Sequence, residues 1–536
     1  MKMNKSVLLT DLPNRVVGGF RPARGVGEGW VAVDFATEDY RGTGVATGFA
    51  SGARELAIRL GLRGSYVLYL GLGSHGSIRV WLDGEKGFRE FVCGHGAWRI
   101  LEARLHQADL TGRNLHIAPM PSSRYSVDDG HMFLAYVRAV PVDHAPSRSA
   151  RNLVATNDGY SWIALDGMAS IRDVTKQFEP YRDSDFFRML WCPVGADVTG
   201  NHLTRVGTVT PFNFTHAYRR CDREFAATTK RILKSGGDIL KAAVAAAREV
   251  GMEIHFYFRP EAFFAPFPYD GVFTSKFLAR SPQWRCRDES GRPVNRMSYA
   301  WREVQDHMLA YIEELLQYQP DGICFAFNRS LPMMICEQPV IEAFRQRHGR
   351  APKLPKEVDS PEMLAVRHEI LAQFIGRLQD VLRPRGKSFS CIVEFDQASN
   401  RLLGLNIEDL LSRKLVESVY LTGFGPRSNY WRGLQRKYPV SIYSSIPHED
   451  APIRYDHRWQ AKQLKAVLKA GFAGTFWWDT EGMHRNPYNW HVLRHGGNQK
   501  FLDRVLTGDS KTEVVLRPVT EVRGVRLDRY NPMRSY

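Results

Sequence analysis

Between residues 152 and 506, eight short apolar runs alternate with amphipathic helical segments, and this alternation restricts the chain more than any other feature. The runs are Leu153–Thr156, Phe187–Cys192, Ile254–Phe258, Gly322–Phe327, Phe389–Val393, Val419–Thr422, Val440–Tyr443 and Gly474–Trp478. They are continuously apolar, as strands of a parallel sheet covered on both faces must be. The helices between them carry start and stop signals. Asp238 precedes an alanine-rich run to Val250, Ser360-Pro361 pairs an N-cap with a proline at the first helical position, and Asn406 stands before Glu408 and Asp409. Gly471 closes the helix lined by Trp459, Leu464 and Val467. Eight strands alternating with helices predict a TIM-type (β/α)8 barrel over 152–506. A doubly wound open sheet is the alternative, but no G-x-G-x-x-G follows the first run, so dinucleotide binding has no support.

Residues 1–142 read differently. Short runs at Leu56–Leu60, Tyr66–Leu70, Ile78–Leu82, Phe88–Val92, Leu115–Ile117 and Met132–Val137 are separated by turn signals such as Asp83-Gly84, a pattern that predicts an all-β sandwich or jelly roll. Residues 143–151 are polar with a proline and suit a linker. The tail, 507–536, holds short alternating runs and many arginines, and is expected to return across one of the two domains.

Composition narrows the partners. The net charge of +16 accompanies no helix-turn-helix, zinc-finger or RNP pattern, so the expected anionic partner is a sulfated or uronic sugar rather than nucleic acid. No run of 18 apolar residues is present, which excludes a spanning helix, and Val7-Leu8-Leu9 is too short for a secretory h-region. The seven scattered cysteines contain no C-x-x-C and suit reduced thiols, so a cytoplasmic location is expected. A homo-oligomer is compatible with all of this, and no cofactor is implied.

In a TIM barrel the chemistry sits at the C-terminal ends of the strands. Glu394 ends the fifth run, where the apolar strand beneath would raise its pKa, and is the expected general acid. Glu337 and Asp479 are the candidate nucleophile or base, since glycosidic cleavage needs a second carboxyl. Glu337 reads equally as a cap of the helix after it, and Asp479-Thr480 as the cap of a turn. Asn157, Asp158, Glu261, Asn328, Asp396 and Glu481 are candidate ligands for sugar hydroxyls. Arg259 and Arg329 would grip an acidic substituent, and Tyr269, Trp284 and Trp478 offer stacking surface. His491 and His495 stand at i, i+4 near His484, but no H-E-x-x-H accompanies them and no metal is predicted.

Several segments give the barrel a family likeness. They are Val154-Ala155-Thr156-Asn157-Asp158-Gly159, Asn295–Ala300, Asp321-Gly322-Ile323-Cys324-Phe325-Ala326-Phe327-Asn328-Arg329, Cys336-Glu337-Gln338-Pro339, Leu405–Leu411 with Leu415-Val416-Glu417, and Ala473–Thr480. In this order they resemble the family-10-like glycoside hydrolase proteins of polysaccharide-degrading bacteria. The resemblance implies a glycoside hydrolase barrel behind an accessory β domain. Relatives carry D-G-x-x-x-D-x-x-R in the fourth-strand motif, and Ala326 stands here at the second aspartate. That departure keeps a non-catalytic carbohydrate-binding protein in play. A polysaccharide lyase, with Arg329 and either His448 or Tyr269, is the third reading.

Overall fold

The computed structural model describes residues 6–94, 99–120, 131–143, 150–166, 168–193, 199–209, 219–260, 267, 274–328, 333–447, 457–480, 482–485, 487–509 and 515–527. Its centre is a closed barrel of eight parallel strands: Leu153–Asn157, Phe186–Trp191, Glu253–Phe258, Gly322–Ala326, Ser388–Val393, Ser418–Leu421, Ser441–Ser444 and Gly474–Trp477. The eighth strand pairs back onto the first, Val154 opposite Phe476. Every strand lies within one residue of its apolar run. The runs are short and buried on both faces, so the sequence leaves little latitude in where they end. The helix caps are equally local. Asp238, Ser360 and Asn406 accept the backbone N–H groups of Lys241, Met363 and Asp409 at 3.0, 3.2 and 3.2 Å.

The barrel lumen is less apolar than the runs suggest. Arg188, on the second strand, donates from Nη1 to the Tyr420 hydroxyl at 2.8 Å and to Ser418 Oγ at 3.4 Å, both on the sixth strand. Strands two and six lie diametrically opposite in an eight-strand ring, so the guanidinium crosses the lumen. Its Nε and Nη2 hold Glu253 Oε2 of the third strand at 3.0 and 2.7 Å. Beside it His255 is buried; burial and the Arg188 charge both push its pKa well down, and its Nε2 lies 3.4 Å from Ser388 Oγ.

The strands before the barrel belong to one eleven-stranded sheet. Hydrogen bonding joins them all, so the two separate faces of a sandwich are not distinguished. Two runs expected as separate strands, Tyr66–Leu70 and Ile78–Leu82, form one strand, Ser65–Leu82. The glycines between them were read as a turn. Gly71 instead makes room for Tyr136, whose ring a Cβ there would approach to 2.5 Å.

The C-terminal tail enters this same sheet. Leu516–Val522 pairs antiparallel with Val31–Thr37 on one side and Arg99–Asp109 on the other. The pairs then run 131–141, 41–48, 31–37, 516–522, 99–109 and 65–82, and the last strand pairs with the first, closing a circuit. Val519 is buried with Phe35, Phe133 and Tyr136. The sheet meets the barrel through the turn at Gly87. Arg172 Nε donates to the Lys86 carbonyl at 2.8 Å, and the Phe88 N–H donates to Thr175 Oγ1 at 3.3 Å. Most of the expected linker, 144–149, lies outside the described residues. Among the described residues no helix is long and apolar enough to cross a membrane.

Two stability tests follow from this arrangement. Arg188→Met leaves Glu253 and Tyr420 without their partner and should lower unfolding free energy by about 2–4 kcal/mol, read from the urea midpoint. Ending the chain at Gly508 strips a strand from between 31–37 and 99–109, and limited proteolysis should then cut first within residues 31–141; an unchanged pattern would show that the sheet closes without the tail.

Candidate functional site

The barrel mouth is organised by turns that fix which carboxylates face outward. After the first strand, Asn157 Oδ1 accepts the Gly159 N–H at 2.9 Å and its amide donates to Gln177 Oε1 at 3.0 Å. Gly159 has φ +64, and a Cβ there would strike the Cys192 carbonyl of the neighbouring strand. Asp158 Oδ1 accepts the N–H groups of Tyr160 and Ser161 at 2.9 and 2.7 Å, capping the helix Ser161–Asp166. Tyr160 reaches the other way. Its hydroxyl donates to Asp222, a fully buried carboxylate that Arg219 holds with two bonds of 2.7 Å.

Arg259, just past the third strand, is the electrostatic centre of the mouth. It is half-buried, and burial opposes its charge. Tyr257, Cys192, Asp158 and Asp479 outweigh that and hold its pKa above the ordinary value. Its guanidinium carbon lies 5.7 Å from the Trp478 ring centroid, and Trp478 meets Tyr257 edge to face at 5.9 Å. Arg259 Nε has no hydrogen-bond partner among the described residues. Two carboxylates flank this one guanidinium, so the expectation that Arg259 grips an acidic substituent loses ground. Its charge is already answered.

Asp479 is exposed and adopts φ +49, a left-handed conformation that a non-glycine residue occupies only when its surroundings enforce it. The enforcement is visible. The Asp479 N–H donates to Thr156 Oγ1 at 2.7 Å, while Thr480 gives its N–H and its hydroxyl to the Thr156 carbonyl at 3.1 and 2.5 Å. Tyr181 in turn donates to Thr480 Oγ1 at 2.8 Å. The exit of the eighth strand is thereby stapled to the first.

Across the ring, Glu394 leaves the fifth strand half-buried. Its Oε2 accepts the Thr422 hydroxyl at 3.0 Å, and its own backbone N–H and C=O are both held by the buried Asn400 amide, at 3.1 and 2.7 Å. No lysine or arginine pairs with Glu394 among the described residues. At the fourth strand, half-buried Asn328 has a buried Oδ1 with no partner among the described residues. Ala326 is fully buried and pairs with Ile392.

Several expected site residues serve the fold instead. Glu337 is fully buried, and its carboxylate accepts the N–H groups of Arg287 at 2.8 Å and Ile335 at 2.9 and 3.1 Å, so it cannot touch a substrate or partner Glu394. It fastens the hairpin of Arg285–Arg287 and Pro293–Met297 to the start of the helix Gln338–His348. The apolar loop before it was a sign of burial, not of a pocket. Asp396 caps Gln397–Leu402 by accepting the Ser399 N–H at 2.7 Å and hydroxyl at 2.9 Å, bonds that hold its pKa below the ordinary carboxylate value. Trp284 is half-buried and has one face stacked on Phe277 at 5.5 Å. Glu261, Tyr269, Arg329, Glu481 and His448 lie outside the described residues. His491 and His495 both pack on Phe501, and among the described residues no three His, Cys, Asp or Glu side chains converge to hold a metal ion.

Sequence reading missed Thr156, Asn400 and Thr422, which hold the backbones or side chains of Asp479 and Glu394. Thr156 and Thr422 left a signal as the polar ends of the first and sixth runs, and Asn400 left none.

No family model and no curated protein matches the chain. Solved structures similar to it include the PgaB (BpsB) glycoside hydrolase domain of Bordetella bronchiseptica, at 10% identity over 65% of this chain and 99% of that one, with a TM-score of 0.43. A β-N-acetylhexosaminidase of Bacteroides fragilis is 9% identical over 71% of this chain and 74% of its own, with a TM-score of 0.38. An α-galactosidase of Thermus thermophilus is 11% identical over 88% and 94%, with a TM-score of 0.36.

Two outcomes check the roles assigned here. Asp479→Gly and Asp479→Asn should keep thermal stability within about 1 kcal/mol, whereas Asp479→Val should cost about 1–3 kcal/mol, because a β-branched residue resists φ +49. Burial raises the pKa of Glu337 above 4.5, against the pull of its N–H donors. A raised carboxyl contributes stability in full below its unfolded value and loses it as pH rises through the folded value. Glu337→Gln should therefore flatten the pH dependence of the melting temperature above pH 4.5, with any activity per folded molecule unchanged.

Proposed function

We propose that the protein hydrolyses a glycosidic bond at the barrel mouth, with Glu394 as general acid and Asp479 as base. The observation that carries this reading is the unlike surroundings of the two carboxylates. Asp479 sits beside Arg259, which favours its charged form, while Glu394 has only the Thr422 hydroxyl for company. Hydrolysis through a carboxyl pair requires that asymmetry, one group carrying a proton to the leaving oxygen and one ionised. Trp478 supplies ring surface beside Arg259.

The two carboxylates leave strands five and eight, three steps apart around the ring. With strands about 4.8 Å apart and tilted by about 36°, strand axes three steps apart stand about 14 Å from one another. A carboxyl separation of about 6.5–9.5 Å would admit a water and give inversion, and one of about 5–5.5 Å retention. The substrate class is a neutral or acidic oligosaccharide. Asp158 and Asp479 beside Arg259 argue against a dense anion at the cleavage point, whatever the net charge elsewhere.

A second reading rests on Ala326: the barrel binds carbohydrate without cleaving it. Reducing-end release from neutral, uronic and sulfated oligosaccharides separates the two. Glu394→Gln and Asp479→Asn should each lower the rate by about 10²–10⁴-fold. Wild-type rates in both variants would remove the pair from the chemistry, and saturable binding without any release would favour the binding protein.

A further inference from the structure

The contact between the N-terminal sheet and the barrel contains a group of arginines that the mouth chemistry does not use. Arg89 and Arg494 are 5% and 3% exposed, and Arg104 is half-buried. Arg89 directs Nη1 at the carbonyls of Arg104 and Leu105, 2.8 and 2.5 Å away, and its guanidinium carbon lies 4.5 Å from the Phe91 ring centroid. Arg104 Nη2 reaches Asp183 Oδ2 at 3.3 Å, and Arg494 Nη2 reaches the Asp183 carbonyl at 3.1 Å. Arg104 and Arg494 thus meet at Asp183, whose carboxylate also accepts the Gln107 N–H at 2.7 Å, and Arg89 feels its charge.

Glu179, the other acid that faces Arg89, is held by Arg182 through two bonds of 2.9 and 2.8 Å, and Glu85 and Glu249 face Arg182 as well. Burial and the neighbouring Arg104 push the pKa of Arg89 down to about 9, and burial with Arg104 and Arg89 pushes that of Arg494 well down too. Three donor atoms, Arg89 Nε, Arg104 Nη1 and Arg494 Nε, are buried with no partner among the described residues. Buried donors and buried like charges are both costly unless something answers them.

We propose that a small inorganic anion of chloride's size and charge binds among Arg89, Arg104 and Arg494 and fastens the N-terminal sheet to the barrel. One such ion supplies an acceptor for the three unpartnered N–H donors. The near-complete burial of Arg89 and Arg494 restricts the ligand to a small one.

The test is thermal unfolding of the full chain at fixed ionic strength, with chloride or bromide replacing gluconate, together with anomalous diffraction from bromide-soaked crystals. Site binding predicts a melting temperature that rises by several degrees and saturates with halide, and a bromide peak between the three guanidiniums. Arg494→Met should lose the halide dependence and, in gluconate, melt no lower than the wild type, because a repelling charge is gone. Identical melting in chloride and gluconate, or bromide found only elsewhere, would overturn the proposal and leave water as the partner of these donors. If Arg494→Met does not fold, the wild-type halide titration and the diffraction decide the matter alone.

Discussion

The Arg188 side chain sets the terms for the barrel. The guanidinium is largely withdrawn from water, and the partners it finds come from the ring itself. Glu253 supplies the countercharge from the adjacent strand, and Tyr420 and Ser418 supply acceptors from the opposite one. These contacts tie strand two to strands three and six, and fix their relative heights. They lie near the strand starts, away from the mouth.

The N-terminal sheet depends on a different long-range tie. Its circuit of strands includes one from the far end of the chain, and Val519 fills a core otherwise made by residues before position 137. The barrel thus lies between two parts of the sheet that covers its flank. A unit whose hydrogen-bond ladder needs both chain ends cannot complete itself before the barrel has brought them together. This couples the two bodies more closely than a linker at 143–151 implies.

At the mouth, carboxylates divide according to what they accept. Glu337, Asp158 and Asp396 take backbone N–H groups and hold turns, a hairpin and helix starts in place. Asp479 and Glu394 are instead held by their backbones, through Thr156 and Asn400. Asp479 gives up backbone comfort for this, and left-handed strain of that kind persists where the surroundings over-determine a position. Arg259 then distinguishes the two electrostatically.

The sequence by itself determined the barrel, because eight short runs buried on both faces admit one register each, and because Asp238, Ser360 and Asn406 cap their helices with groups only three residues away. It also marked Glu394 and Asp479 as strand-end carboxylates. Tertiary structure alone decided which acids face solvent. Glu337 and Asp479 look alike in a sequence, and only the hairpin folded over Glu337 buries it. The same holds for Arg188, whose partners lie 65 and 232 positions away, and for the tail strand, whose place depends on edges offered by strands hundreds of residues earlier. Local hydrogen bonds and periodicity are written within a few residues, whereas burial and charge pairing are properties of the space between elements, and that space exists only once the chain has closed.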